Sequence, residues 1–158
     1  LGDGRTQPRF SGLAWYRRAR LEAPWFPDVL PADGRPYDDA EAALLRLEEP
    51  CISPLTEVEF ASLIARKRRL RELNEREAAE VLRLFGQHVA DGHYRRLSPG
   101  AEHFLRARDL LVSMTSALTT LDALHLSVAL SAGLPLLTAD RELARAARRH
   151  DASTTLVK

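Results

Sequence analysis

Three carboxylates in this chain stand where they could share one ion. Asp140 follows the apolar run Leu134–Thr138 and opens a helix, which puts it at the carboxyl edge of a strand. In open α/β sheets that edge is where ligands bind. Asp122 falls in the first turn of an apolar helix, in Thr119-Thr-Leu-Asp-Ala-Leu-His125. Glu59 falls in the first turns of another, in Ser53-Pro-Leu-Thr-Glu-Val-Glu-Phe60. Near a helix N-terminus the dipole and the free N–H groups favour the ionised form. Brought together, the three would make an all-oxygen site suited to Mg2+ or Mn2+. Each also has a purely structural explanation. Asp140 is a good N-cap, and Thr56-x-x-Glu59 spells a capping box. Asp122 could meet an arginine, although burying an unpaired carboxylate in an apolar helix is expensive. Glu57 competes with Glu59, because apolar residues surround their helix on nearly all sides.

The elements that must position these acids alternate in type. Asp39–Glu49 reads as a short helix and Cys51–Ile52 as a brief strand, and Ser53-Pro54 opens a helix to about Arg71. Asn74-x-x-Glu77 is a capping box for the next helix, whose Ala78, Val81, Leu82, Phe85 and Val89 form one stripe; Gly92 stops it. Tyr94–Leu97 is a possible strand, and Ser98-Pro99 starts a helix to about Ser113. Thr119 or Thr120 caps an apolar helix from Leu121 to Ala132, ended by Gly133. Leu134–Thr138 is a strand, Arg141–His150 a helix and Thr154–Val157 a closing strand. The alternation predicts an α/β fold, with a short parallel sheet between helices.

Composition narrows the class. At 158 residues, 45% hydrophobic and 28% charged, the chain is expected to form a globular domain. No apolar run approaches the roughly 20 residues needed to span a bilayer, so no membrane association is expected. A single cysteine, Cys51, excludes an internal disulfide and fits a cytoplasmic location; as a side chain it reads as a core residue. Net charge is only +1, so no global basic field advertises nucleic acid. Basic residues cluster locally, at Arg66–Arg69 with Arg71 and at Arg141, Arg145, Arg148 and Arg149. They read as solvated helix ends or as phosphate-holding rims. His125 reads as a hydrogen-bond partner of Asp122, one turn away, or as a satisfied core side chain. Zinc, Walker and dinucleotide motifs and a serine-nucleophile elbow are missing.

Three stretches in order carry a resemblance: Ser53-Pro-Leu-Thr-Glu-Val-Glu-Phe60, Thr120-Leu-Asp-Ala-Leu-His-Leu-Ser127 and Leu136-Leu-Thr-Ala-Asp-Arg-Glu-Leu-Ala144. Together they resemble PIN-domain ribonucleases, particularly VapC-type toxins of bacterial toxin–antitoxin pairs, over about Asp39 to Lys158. The resemblance implies a three-layer α/β/α fold and Mg2+ or Mn2+ held by clustered acids. It also implies hydrolysis of RNA phosphodiesters, a cognate antitoxin partner and a homodimer, formed through the long helices around Asn74–Ala90. Carried over residue by residue, the metal-binding and catalytic acids are Glu59, Asp122 and Asp140, with Thr138 as a neighbour. The family's spacing favours Glu59 over Glu57.

The first 38 residues depart from this pattern. They hold both tryptophans, five of nine prolines, four of eight glycines and six arginines, without a sustained period. The resemblance calls for a strand ending in Asp-Thr-Ser or similar, whose aspartate is a central ligand. No such strand is visible. Asp28 is the nearest candidate, although prolines surround it, and Asp3 and Asp33 look like turn residues. The chain therefore divides into residues 1–38, an atypical arm or a mis-framed stretch of GC-rich coding DNA, and residues 39–158, a PIN-like domain. Two functions follow: a metal-dependent endoribonuclease, or a PIN-like binding module deficient in catalysis for want of its first acid.

Overall fold

A computed structural model describes residues 10–11, 43, 46–47, 49–113 and 117–157. Asp3, Asp28, Asp33 and most of the helix expected over 39–49 lie outside the described residues. Five strands form one sheet: β1 (Phe10–Ser11), β2 (Cys51–Ile52), β3 (Arg95–Arg96), β4 (Leu136–Thr138) and β5 (Thr154–Leu156). Their order is β3-β2-β1-β4-β5 and every pairing is parallel. The five described helices are α1 (Pro54–Arg69), α2 (Glu75–Ala90), α3 (Ala101–Val112), α4 (Thr120–Ala132) and α5 (Arg141–Arg149). This is the α/β architecture expected from the alternation.

The central strand was not legible. Phe10–Ser11 pairs with Cys51 on one side and with Leu136 and Leu137 on the other, filling the middle of the sheet. Two residues are too few to show alternation, and pairing partners 41 and 126 positions away leave no local signal.

The strands put alternate residues on opposite faces. On one face, Cys51 and Leu136 join Leu126, Val128 and Ala129 of α4 and Leu143, Ala146 and Ala147 of α5 in one core. On the other, Ile52 packs with Phe60 and Ile64 of α1, Val81, Leu84 and Phe85 of α2, and Tyr94. Leu137, also on that side, packs with Val157, Ala43 and Leu47. Apolar groups on both faces of β2 and β4 explain why these two strands read as short continuous apolar runs.

Local signals set the helix ends. Ser53 caps α1, with Thr56 as its reciprocal partner, so the capping box runs Ser53–Thr56 and the Thr56–Glu59 box is corrected. Asn74 and Glu77 make the expected box on α2. Gly100, rather than Ser98-Pro99, caps α3. Thr119 caps α4, and Gly133 ends it at φ 63°, a left-handed conformation that glycine adopts without penalty.

Candidate active site

Because all strands are parallel, β2 and β4 hand over to α1 and α5 at the same edge of the sheet, on either side of β1. Ser53 and Asp140 sit at those two handovers. The third helix arrives differently. α4 ends three residues short of β4, at the amino edge, so its first turn is its remote end, about 18 Å away.

Each candidate acid is held by one oxygen. Asp140 Oδ1 accepts the N–H groups of Glu142 (2.7 Å) and Leu143 (2.9 Å), the N-cap expected of it. Thr138 Oγ1 accepts the Asp140 N–H at 3.0 Å, tying the end of β4 to the cap. Asp122 Oδ2 accepts the Thr119 N–H (3.1 Å) and hydroxyl (2.6 Å), while Thr119 Oγ1 accepts the Asp122 N–H. Asp122 is only half-buried in this capping box, so the expected cost of an unpaired buried carboxylate does not arise. Glu59 Oε2 accepts from His125 Nε2 at 2.6 Å. The other oxygens, Asp140 Oδ2, Asp122 Oδ1 and Glu59 Oε1, have no hydrogen bond or ion pair among the described residues.

Glu57 and Glu59 differ in partner. Glu57 Oε1 lies 2.7 Å from Arg96 Nη2, close enough for an ion pair though not aligned as a hydrogen bond. Glu59 reaches α4 instead. The apolar contact beside that link is made by Leu55, one turn before Glu59, against Ala123, Leu124 and Ala107. The amino-terminal turns of α1 and α4 are therefore side by side. His125 was expected to satisfy Asp122 or a core partner; the Glu59 bond joins residues 66 positions apart and has no sequence signature.

Hard carboxylate oxygens suit a Mg2+ or Mn2+ ion in kind. Among the described residues, however, no group of three or more His, Cys, Asp or Glu side chains is placed to hold a metal. After Ser11 the sequence continues Gly12-Leu13-Ala14-Trp15, with no carboxylate before Glu22. Two clefts, of about 450 and 380 Å3, border α3 and include none of the three acids.

The basic clusters resolve into individuals. Lys67 is buried, with Nζ 2.6 Å from Glu72 Oε2, whereas Arg66, Arg68, Arg69 and Arg71 are exposed. They stand two to three turns beyond Glu59, about 10–18 Å along the helix. Arg141 is exposed directly beside Asp140 and has no ion pair among the described residues; Arg145 pairs with Glu142. No described helix is long and apolar enough to cross a membrane.

Comparison with curated proteins returned no match. The crystal structure of FitAcB from Neisseria gonorrhoeae has a similar fold, with a TM-score of 0.59 at 16% identity, covering 92% of this chain and 94% of that one. The sequence matches the PIN domain family over residues 28–149, more than three quarters of the chain. Sequence and fold thus agree, and the chain belongs to the PIN domain family.

Proposed function

We propose that this protein is a divalent-metal-dependent endoribonuclease of the VapC type, with Glu59, Asp122 and Asp140 as its acidic residues. PIN domains are generally nucleases. The observation that carries the reading is that each acid spends one oxygen on the protein and keeps the other without a partner among the described residues. Those oxygens would hold Mg2+ or Mn2+, which when bound supplies an activated water and stabilises charge on the phosphate. Asp140 is fixed by two backbone N–H groups and by Thr138, so it needs no reorganisation to present Oδ2. Asp122 is fixed by Thr119. Arg141, beside Asp140, is placed to grip an RNA phosphate through its planar fork. Glu57, opposite Arg96, is already neutralised and is left out.

The reading extends to a cytoplasmic protein that pairs with a cognate antitoxin and forms a homodimer, for which light scattering is the check. Titration of the purified protein with Mn2+, with RNA cleavage followed in the same buffer, tests the core claim. Saturable binding and metal-dependent cleavage are expected; neither appearing overturns it.

A second reading has its own support. The central strand runs into Gly12-Leu13-Ala14 without a carboxylate, and the described acids form no cluster of three. A PIN-like binding module, deficient in catalysis, fits both facts. It predicts a soluble, folded protein with no saturable Mn2+ binding that still captures its protein partner.

A further inference from the structure

We propose that His125 is a positioning residue: it fixes the Glu59 carboxylate so that Oε1 is held in one place for the site. The inference deepens the proposed function and rests on that reading for its metal-binding consequence.

The geometry is asymmetric in a telling way. His125 is 8% exposed, inside a helix whose neighbours Ala123, Leu124, Leu126 and Val128 are all buried. Glu59 is on a different helix and its side chain is 38% exposed. An exposed glutamate normally samples many rotamers, and holding it in one costs conformational entropy. Here it is held, by a 2.6 Å contact from a ring that packing has immobilised. A carboxylate only accepts, so His125 Nε2 carries the proton and donates to Oε2. The contact is short enough for a charge-assisted bond.

Placement supplies the second argument. Asp122 is three residues before His125, on the same face of α4. Docking Glu59 on His125 therefore brings it to the face that carries Asp122. Leu55, one turn before Glu59, braces the two helices against Ala123 and Leu124, the residues just before His125. Buried groups that hold a ligand residue commonly change metal affinity about 10- to 100-fold when removed.

The test compares His125→Gln, which keeps an N–H donor near the Nε2 position, with His125→Phe, which keeps ring volume and loses the donor. In metal-free protein, 13C relaxation of the Glu59 side chain should be that of an ordered group in wild type and His125→Gln, and of a mobile one in His125→Phe. Mn2+ affinity should fall about 10- to 100-fold in His125→Phe and stay within about threefold in His125→Gln. Thermal melts separate loss of fold, because a merely structural role lowers Tm in both variants and leaves the affinity of the folded fraction unchanged. Equal Glu59 order in all three proteins overturns the proposal. So does equal Mn2+ affinity. Absence of saturable Mn2+ binding in wild type overturns the proposed function instead, and the metal-free relaxation then decides the role of His125 alone.

Discussion

The segment from Thr119 to Arg149 and the strand Phe10–Ser11 border the same edge of the sheet, yet they encode it in opposite ways. The first carries its chemistry in local motifs: Thr119 and Asp122 cap each other, Gly133 turns the chain, and Asp140 caps α5. The second has a central place in the topology and no acid following it until Glu22. A backbone can fill a parallel sheet through main-chain hydrogen bonds that any residue offers. Holding a cation needs particular side chains. On the proposed assignment, fold and site are separately encoded, and the site's weight falls on the carboxyl-terminal segment.

The largest expected effect would break that contrast if absent. Asp122→Asn should reduce RNA cleavage by at least about 100-fold, because an amide keeps the shape of the side chain and loses the charge that a cation needs. The fold should survive, since an amide oxygen can still accept from Thr119 and a weakened cap costs only about 1 kcal/mol. Asp28→Asn is the matched control in the amino-terminal segment and should leave Mn2+ affinity within about twofold, because the proposed site uses no acid from that segment. Unchanged cleavage by the first variant, or a tenfold loss of affinity in the second, reverses the assignment of weight between the two regions.

Cys51 probes whether the sheet is sealed at its centre. Its backbone lies between Phe10 and Arg95, and its side chain is fully buried. Burial pushes the thiol above its usual pKa, with Glu49 adding to the rise and Arg95 opposing it. Only the thiolate reacts. Alkylation of the native protein near neutral pH should therefore be at least about 100-fold slower than in denaturant. A rate close to that of the denatured chain means that the strands around Cys51 open readily, and the central role of β1 then falls.

What the sequence disclosed follows the range of each interaction. Asp140, Asn74 and Gly133 act within a few residues, so their types and spacing foretell the caps and turns they make. Glu59 was singled out by the resemblance, and its local reading as a capping-box partner was wrong. Ser53, Thr56 and Glu59 lie three apart, so two overlapping capping boxes are spelled, and only the fold chooses Ser53–Thr56. The His125–Glu59 bond and the pairing of Phe10 with Cys51 and Leu136 depend on partners 41 to 126 positions away. Nothing in a window of ten or twenty residues carries that information. Lys67 illustrates the same limit, since it reads as one more charge in a basic run and is in fact buried against Glu72.

The smallest effect repeats the contrast at two helix ends. α4 finishes on Gly133 at φ 63°, where the N–H of Leu134 reaches the carbonyl of Ala129. α1 finishes in the same motif one residue past Leu70, with Arg71 at φ 60° and the N–H of Glu72 bonded to the carbonyl of Lys67. The glycine announces its turn in the sequence and the arginine does not, because a left-handed residue with a Cβ costs about 1–2 kcal/mol and is uncommon. The turn is held by the neighbouring Lys67–Glu72 ion pair, which does not involve the Arg71 side chain. Arg71→Gly should therefore stabilise the protein by up to about 1 kcal/mol, after the entropy glycine adds to the unfolded chain is subtracted. For a chain of this length that is roughly 2–4 °C in Tm. Calorimetry of the variant is the measurement. A lower Tm means that the Arg71 side chain contributes more at this turn than its strained backbone costs, and the likeness between the two helix ends fails.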